Sequence, residues 1–179
     1  MMIPWMSNAA IEKYSSLVGD GIYVLELGAG HSTVRLAQKG CKVESYEHDK
    51  HWFKVVNDHL TSDQVNVHFV ENYESEICKY PPNTFDIVVV DGINRIECME
   101  EDLKHKVVKP GGWALFDDSE RRFLKEDWAY ACNLYGEWNC VHIGDFPAND
   151  IEEYKSYEGT VSPHRLKQTL FAQRPEEVI

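Results

Sequence analysis

The chain has 179 residues, of which 43% are hydrophobic and 27% are charged, and its formal net charge is −12. This balance predicts one soluble domain with a full core, and it disfavours electrostatic binding to nucleic acid or an anionic membrane, the local pair Arg121-Arg122 aside. The five cysteines include no Cys-x-x-Cys pair, which argues against a disulfide framework and a structural zinc site. The sequence has no signal-peptide pattern and no apolar run of about 20 residues, which argues against export and against a bilayer span. We therefore expect a cytoplasmic protein.

Helical and strand patterns alternate in the first 70 residues. Apolar periodicity predicts helix 7–18, strand 22–27, helix 32–39, strand 42–47, helix 50–60 and strand 65–70. Strands that alternate with helices are typical of βαβ units and of a parallel sheet.

The alternation continues in the second half, but its end is different. The pattern predicts strand 85–91, helix 95–107, a turn at 109–112, strand 113–116, helix 121–135 and two last strands near 139–145 and 167–173. The run Ile87 to Val90 is apolar on both faces, as in a central parallel strand. No helical pattern separates the last two strands, so we expect them to be antiparallel, because a parallel pair needs a crossover.

The first strand runs into a glycine turn, Glu26-Leu27-Gly28-Ala29-Gly30-His31-Ser32-Thr33. Glycine at 28 and 30 lets the backbone turn sharply and approach a ligand, and Ser32 or Thr33 could cap the following helix. A dinucleotide fingerprint would place glycine or alanine where Thr33 stands, which points away from NAD. A tight strand-to-helix turn without a ligand is the alternative.

Glu47 stands at the end of the second predicted strand, 19 residues after Gly28. A carboxylate at about this spacing can accept hydrogen bonds from both hydroxyls of a ribose. An ordinary exposed glutamate is the alternative. The order of glycine turn and acidic strand end favours a nucleoside-containing cofactor.

The segment Glu26-Leu27-Gly28-Ala29-Gly30 resembles the first motif of class I S-adenosylmethionine-dependent methyltransferases. A small branch with unassigned acceptors is similar at Glu47-His48-Asp49, Asp91-Gly92, Lys109-Pro110-Gly111-Gly112 and Asp117-Asp118-Ser119-Glu120-Arg121. The resemblance implies a Rossmann-like three-layer sandwich whose mostly parallel seven-stranded sheet ends in an antiparallel pair. It implies one domain over 1–179, divided into an amino-terminal helix (1–20), a cofactor-binding core (21–120) and a last helix with the strand pair (121–179).

The same resemblance implies a cofactor site at the carboxyl ends of the strands. Its expected residues are Glu26, Gly28, Gly30, Ser32, Thr33, Glu47, His48, Asn72 and Asp91. Glu26 would orient the loop, Glu47 would bind ribose, and Asn72 or His48 would meet adenine, unless these two are plain loop residues. Asp91 would pair with the amino group of the methionine moiety or face the acceptor.

Methyl transfer needs in-line positioning and deprotonation of the acceptor, for which Asp91 and Asp117 are the candidate catalytic residues. Together with Asp118 they resemble the metal site of catechol-type O-methyltransferases, which implies Mg²⁺ or Ca²⁺. Two features count against the metal: Asp118 replaces the asparagine of that family, and no lysine follows Asp91 in Gly92-Ile93-Asn94-Arg95. Helix capping by Asp117 or Asp118 is the alternative.

Several other residues are candidates for the acceptor side. Arg95 and Arg121 could reach an anionic acceptor, although pairing with the neighbouring carboxylates is the simpler role, and His31 is a further candidate base. We expect the irregular segment 145–165 to set specificity, and Trp5 either to cover the cofactor or to pack on the first helix.

The sequence therefore predicts methyl transfer from S-adenosylmethionine, with a hydroxyl of a small molecule or saccharide as acceptor. A homo-oligomer that completes an open pocket is also compatible with the sequence. Two alternatives stay open, an NAD-linked oxidoreductase, which Glu47 favours and Thr33 opposes, and a non-catalytic protein that keeps the fold and binds the cofactor.

Overall fold

A computed structural model of the chain describes residues 4–157, 159–162 and 165–177. Helices and strands alternate along the chain in the order α1 (Asn8–Leu17), β1 (Tyr23–Leu27), α2 (His31–Gln38), β2 (Lys42–Glu47), α3 (Lys50–His59), β3 (Val65–Phe69), α4 (Glu74–Ile77), β4 (Phe85–Val90), α5 (Arg95–His105), β5 (Val108–Asp117), a 3₁₀ helix (Ser119–Phe123), α6 (Glu126–Asn133), β6 (Asn139–Gly144), α7 (Ile151–Tyr157) and β7 (Gln168–Gln173). None of the helices within these described ranges is long and apolar enough to cross a bilayer.

The seven strands form one sheet in the order β3-β2-β1-β4-β5-β7-β6. Neighbouring strands from β3 to β5 are parallel, whereas β7 is antiparallel to both β5 and β6. The predicted fold class is confirmed, including the antiparallel finish. This order places β1 and β4 side by side at the centre, where the Asp91 backbone N–H donates to the Leu27 carbonyl at 2.9 Å.

Successive side chains of the central strands pack against helices on opposite faces of the sheet. Leu25 and Val88 belong to a buried cluster with residues of α4, α5 and α6, whereas Val24 and Ile87 pack with residues of α1 and α2. Successive strand residues point to opposite faces of a sheet, so an apolar residue at every position requires cover on both sides. The result is the predicted three-layer sandwich.

The predicted turn at 109–112 is wrong, because these residues belong to β5. The pairing of Phe85 with Val108 is followed by that of Ile87 with Trp113, so β5 carries a bulge here. Gly111, with φ +75°, lies in this bulge, and its N–H donates to the Arg174 carbonyl at 3.0 Å. Pro and Gly mark such strand irregularities as well as turns, and the local sequence did not separate the two.

Two helix predictions in the last third are also wrong. The single helix expected over 121–135 is a 3₁₀ helix followed by α6, because Lys125 between them is extended, with φ −146° and ψ 134°. Helix α7 stands between the last two strands, where we expected none. The buried Tyr154 of α7 packs with Leu166 and Phe123, which lie 12 and 31 residues away from it in the sequence. These apolar partners are outside the helix, so no local pattern indicated that α7 would form.

The specificity segment expected at 145–165 includes residues 158, 163 and 164, which lie outside the described residues. In its described part, the N–H of Glu153 donates to Asp150 Oδ1 at 2.8 Å near the start of α7. This segment is therefore partly helical rather than irregular throughout.

One buried carboxyl in α5 makes stability depend on pH. Asp102 is 1% exposed, and its Oδ2 accepts a 2.8 Å hydrogen bond from the Tyr135 hydroxyl. Oδ1 has no hydrogen-bond partner among the described residues. Burial raises the pKa of Asp102 from 3.8 to about 7, because the folded protein disfavours the charged form.

Replacing Asp102 by Asn is expected to stabilise the protein at pH 8 more than at pH 4. The folded carboxyl holds its proton more tightly than the unfolded one, so its ionisation lowers stability as pH rises from about 4 to about 7, by up to about 4 kcal/mol. The check is a series of thermal unfolding midpoints from pH 4 to pH 8 for both proteins. An equal change in midpoint at both pH values would contradict this assignment.

Candidate active site

A cavity of about 350 Å³ opens at the carboxyl ends of the central strands, beside the start of β7. Open parallel sheets bind ligands at this edge. The cavity is lined by Pro4, Trp5, Gly28, Ala29, Gly30, His31, Ser32, Glu47, His48, Trp52, Tyr73, Asp91, Gly92, Ile93, Arg95, Asp118 and Lys167.

The glycine turn after β1 forms the floor of this cavity. Gly28 has φ +111°, and a Cβ built on it would lie 2.6 Å from the Gly92 backbone nitrogen. Gly30 has extended φ (−170°), and a Cβ there would meet no atom within 4 Å. Packing therefore requires glycine at 28, whereas the space above Gly30 is open to a ligand.

Glu26 organises this turn from below, fully buried and outside the cavity lining. Its Oε2 accepts hydrogen bonds from the hydroxyls of Thr33 and Ser45, and Thr33 Oγ1 in turn accepts from the Gly30 N–H at 2.9 Å. Burial raises the pKa of Glu26, and hydroxyls including that of Ser32 oppose the shift. Of the three loop residues predicted beside the glycines, only Ser32 reaches the cavity, while Glu26 and Thr33 support the turn.

The acidic end of β2 lies on the next side of the cavity. Glu47 is 4% exposed, and its Oε1 accepts from the Asp49 N–H at 2.6 Å and lies 3.0 Å from His48 Nδ1. Burial raises the pKa of Glu47, whereas the Asp49 N–H and His48 lower it. Glu47 and His48 are thus in the cavity where the sequence placed them.

Asn72 lies elsewhere: it is exposed and does not line the cavity. Its neighbour Tyr73, which sequence reasoning missed, is fully buried and lines the wall. The Tyr73 hydroxyl is 2.6 Å from His48 Nδ1, and a Cβ on Gly92 would lie 2.2 Å from the Tyr73 ring. No local signal marked Tyr73, since its role follows from its contact with Gly92.

The three aspartates predicted at the ends of β4 and β5 are neighbours but differ in access. Asp91 and Asp118 line the cavity. Asp117 is 1% exposed, does not line the cavity, and accepts a 2.6 Å hydrogen bond from the Thr169 hydroxyl. Asp117 can act on a ligand only through its charge.

Arg95 ties these strand ends together. Its guanidinium donates to the carbonyls of Gly92, Asp91 and Asp117 at 2.8, 3.1 and 2.9 Å. It also lies 3.3 Å from Asp91 Oδ1 and 3.1 Å from Asp118 Oδ2. The guanidinium thus makes three hydrogen bonds to backbone carbonyls and two ion pairs with carboxylates, and it holds the ends of β4 and β5 together.

Lys167, just before β7, is a second cation that sequence reasoning missed. Its Nζ donates to Asp118 Oδ1 at 2.8 Å and lies 3.9 Å from Asp117 Oδ2. Burial alone would lower the pKa of Lys167, but Asp118 and Asp117 raise it, so the ammonium stays charged.

These contacts give Asp91 and Asp118, two of the three carboxyls that line the cavity, different affinities for a proton. Burial, followed by the charge of Asp117, raises the pKa of Asp91 well above its usual value, and Arg95 opposes the rise. Burial would raise the pKa of Asp118 too, but Arg95 and Lys167 bring it below its usual value. Of these two carboxyls at the ends of β4 and β5, Asp91 is therefore the one that is suited to take up a proton.

The predicted Mg²⁺ or Ca²⁺ site at Asp91, Asp117 and Asp118 is not supported. Asp118 already pairs with Lys167, Arg95 and Arg121, the last at 2.8 Å. Within the described ranges, no three His, Cys, Asp or Glu side chains are grouped so that they could hold a metal ion. Arg95, Arg121 and Lys167 balance the charge of these carboxylates.

Comparisons with known proteins identify the fold. Neither protein-family models nor curated proteins match this chain. Among solved structures it is similar to a tRNA methyltransferase from Aquifex aeolicus, with 13% identity over 99% of this chain and 72% of that one and a TM-score of 0.68. It is also similar to an S-adenosylmethionine-dependent O-methyltransferase from Thermotoga maritima, with 14% identity over 94% of this chain and 65% of that one and a TM-score of 0.65. A third similar structure is a precorrin decarboxylase from Methanobacterium thermoautotrophicum, with 20% identity over 90% of this chain and 87% of that one and a TM-score of 0.60. At these identities the likeness establishes the class I methyltransferase fold and nothing finer.

Replacing Gly28 and Gly30 separately by Ala is expected to have unequal effects on stability. Gly28→Ala combines a strained positive φ with backbone overlap at Gly92 and should cost about 3 kcal/mol or more. Gly30→Ala, the matched control, should cost less than about 1 kcal/mol, because it meets nothing. Urea unfolding measures both, and similar losses would contradict the geometry.

Proposed function

We propose that this chain binds S-adenosylmethionine in the cavity and transfers its methyl group to a hydroxyl of a small molecule or saccharide. One observation carries the proposal: the open space above Gly30, the carboxylate of Glu47 and the proton-binding carboxyl of Asp91 meet in one cavity of about 350 Å³. That volume is within the range of small-molecule sites.

The residues present suit the chemical groups of this cofactor. Glu47 can accept hydrogen bonds from ribose hydroxyls. The first residues of α2, His31 and Ser32, line the cavity, and the positive end of a helix dipole favours a carboxylate such as that of methionine. His48 supplies exposed aromatic surface on the Glu47 side, backed by the buried ring of Tyr73, and we place the adenine here instead of at Asn72.

The cofactor supplies an electrophilic methyl group on sulfur, so the protein has to orient the acceptor and take its proton. Asp91 is the proposed base, since it lines the cavity and holds a proton more tightly than an ordinary aspartate. Asp117, first expected to be catalytic, is proposed to support Asp91 through its negative charge. Arg95 fixes Asp91 at the end of β4.

Replacing Glu47 by Gln is expected to weaken S-adenosylhomocysteine binding about 10- to 100-fold, because hydrogen bonds to a charged carboxylate are lost. Glu44→Gln is the matched control, since Glu44 lies on the same strand but contacts His68 and Asn66 outside the cavity. Titration calorimetry measures both affinities. Undetectable binding by the unmodified protein would overturn the proposal, and NADH binding in a parallel titration would favour the oxidoreductase alternative.

Replacing Asp91 by Asn is expected to lower methyl transfer about 100-fold while changing the Kd for S-adenosylhomocysteine less than about fivefold. The unmodified enzyme should speed up as pH rises toward the raised pKa of Asp91, because a base works in its ionised form. The assay follows labelled methyl from S-adenosylmethionine into a panel of phenols, catechols and monosaccharides.

Two results of this assay would count against the proposed role of Asp91. A loss of cofactor affinity as large as that of Glu47→Gln would assign Asp91 to the methionine amino group. Cofactor binding without transfer to any acceptor would favour the non-catalytic alternative.

A further inference from the structure

Trp5 has an unusual position for a tryptophan. It is 69% exposed, the largest fraction among the exposed large hydrophobic residues in the described part of the chain. Trp5 also lines the cavity. Burial of an exposed indole is favourable, and a ligand bound in the adjacent cavity could supply that burial. Trp5 thus differs from its neighbour Met6, which is buried in the core with α1.

Trp5 belongs to a cluster of three rings, the aromatic rim, formed with His31 and Trp52. The ring centroids are 5.7 Å apart for Trp5 and Trp52, 6.1 Å for Trp5 and His31, and 5.6 Å for His31 and Trp52, all edge to face. Edge-to-face contacts at these distances are favourable. They hold the indole above the first turns of α2 and α3, which follow the Gly30 and Glu47 sides of the cavity.

The backbone at Trp5 is held on the opposite, charged side. Lys167 Nζ lies 3.4 Å from the Trp5 carbonyl oxygen while it binds Asp118. Directly after Trp5, buried Met6 and the α1 cap formed by Ser7 anchor the chain. Pro4 and Trp5, which line the cavity, are therefore attached on one side to the aromatic rim and on the other to Lys167 and the start of α1.

We propose that Trp5 is a cofactor-binding residue that covers the ribose and methionine portions of the ligand, with the aromatic rim and Lys167 holding it in place. This inference rests on the proposed function, and it assigns a role to a residue outside the glycine and acidic motifs. A ligand resting on the glycine turn beside Glu47 would bury the indole face that is now exposed. The indole would in turn exclude water and slow ligand release.

The first test measures the access of Trp5 to solvent. Acrylamide quenching of tryptophan fluorescence is compared between the unmodified protein and Trp5→Phe, because their difference isolates Trp5 from the other four tryptophans. S-adenosylhomocysteine at saturation should remove most of this Trp5 component. Quenching of Trp5 that stays unchanged when the ligand is bound would overturn the inference.

The second test measures affinity and ligand release. Trp5→Ala should weaken S-adenosylhomocysteine binding about tenfold, mainly through faster dissociation, and Trp5→Phe should fall between it and the unmodified protein. Tyr130→Ala is the matched control, since Tyr130 is 56% exposed on α6 and does not line the cavity. Titration calorimetry and stopped-flow displacement provide the two measurements.

The outcomes separate this inference from the proposed function. Tight binding by the unmodified protein together with an unchanged affinity of Trp5→Ala overturns the role of Trp5 alone. No binding by the unmodified protein overturns both. Should Trp5→Ala fail to fold, the milder Trp5→Phe decides, since an unaltered dissociation rate in that variant also contradicts the cover.

Discussion

The backbones that leave the two central strands, β1 and β4, are in contact, and the cavity depends on this contact. A Cβ at Gly28 would lie 2.6 Å from the Gly92 nitrogen, and one at Gly92 would lie 2.2 Å from the Tyr73 ring. The turn after β1 therefore packs directly on the turn after β4, and the turn after β4 packs directly on the Tyr73 ring from the segment after β3. Neither contact has room for another atom. Because a tightly packed arrangement of this kind cannot yield, the loop above it presents a fixed surface to a ligand.

Charge balance around the three aspartates follows from the sheet order. Asp91, Asp117 and Asp118 would repel one another if they stood alone. Arg95 joins the ends of β4 and β5, and Lys167 reaches the same place from the start of β7. With these cations present, Asp118 stays ionised while Asp91 binds a proton more readily, so neighbouring carboxyls acquire different roles.

The fold does not specify which reaction this chain catalyses. Proteins of the same fold include a tRNA methyltransferase, an O-methyltransferase and a precorrin decarboxylase, so the sheet itself does not specify a reaction. In this chain Trp5, Trp52, His31 and Lys167 line the cavity together with the glycine turn and the acidic strand ends. The reaction therefore depends on side chains such as these and not on the sheet.

The sequence by itself determined the alternating elements, the glycine turn and the acidic strand end at Glu47, because each depends on residues a few positions apart. The bulge in β5 and helix α7 escaped it, since distant partners favour them, namely Arg174 for the bulge and Phe123 and Leu166 for the helix. Only the tertiary structure decided that Asp117 is buried, that Tyr73 and not Asn72 reaches the cavity, and that Lys167 pairs with Asp118. The two results for Asp117 and Lys167 arise because β7 inserts beside β5, which brings Thr169 onto Asp117 and brings Lys167, 49 residues after Asp118, into contact with Asp118. The position of Tyr73 arises because its ring packs against Gly92 at the end of β4.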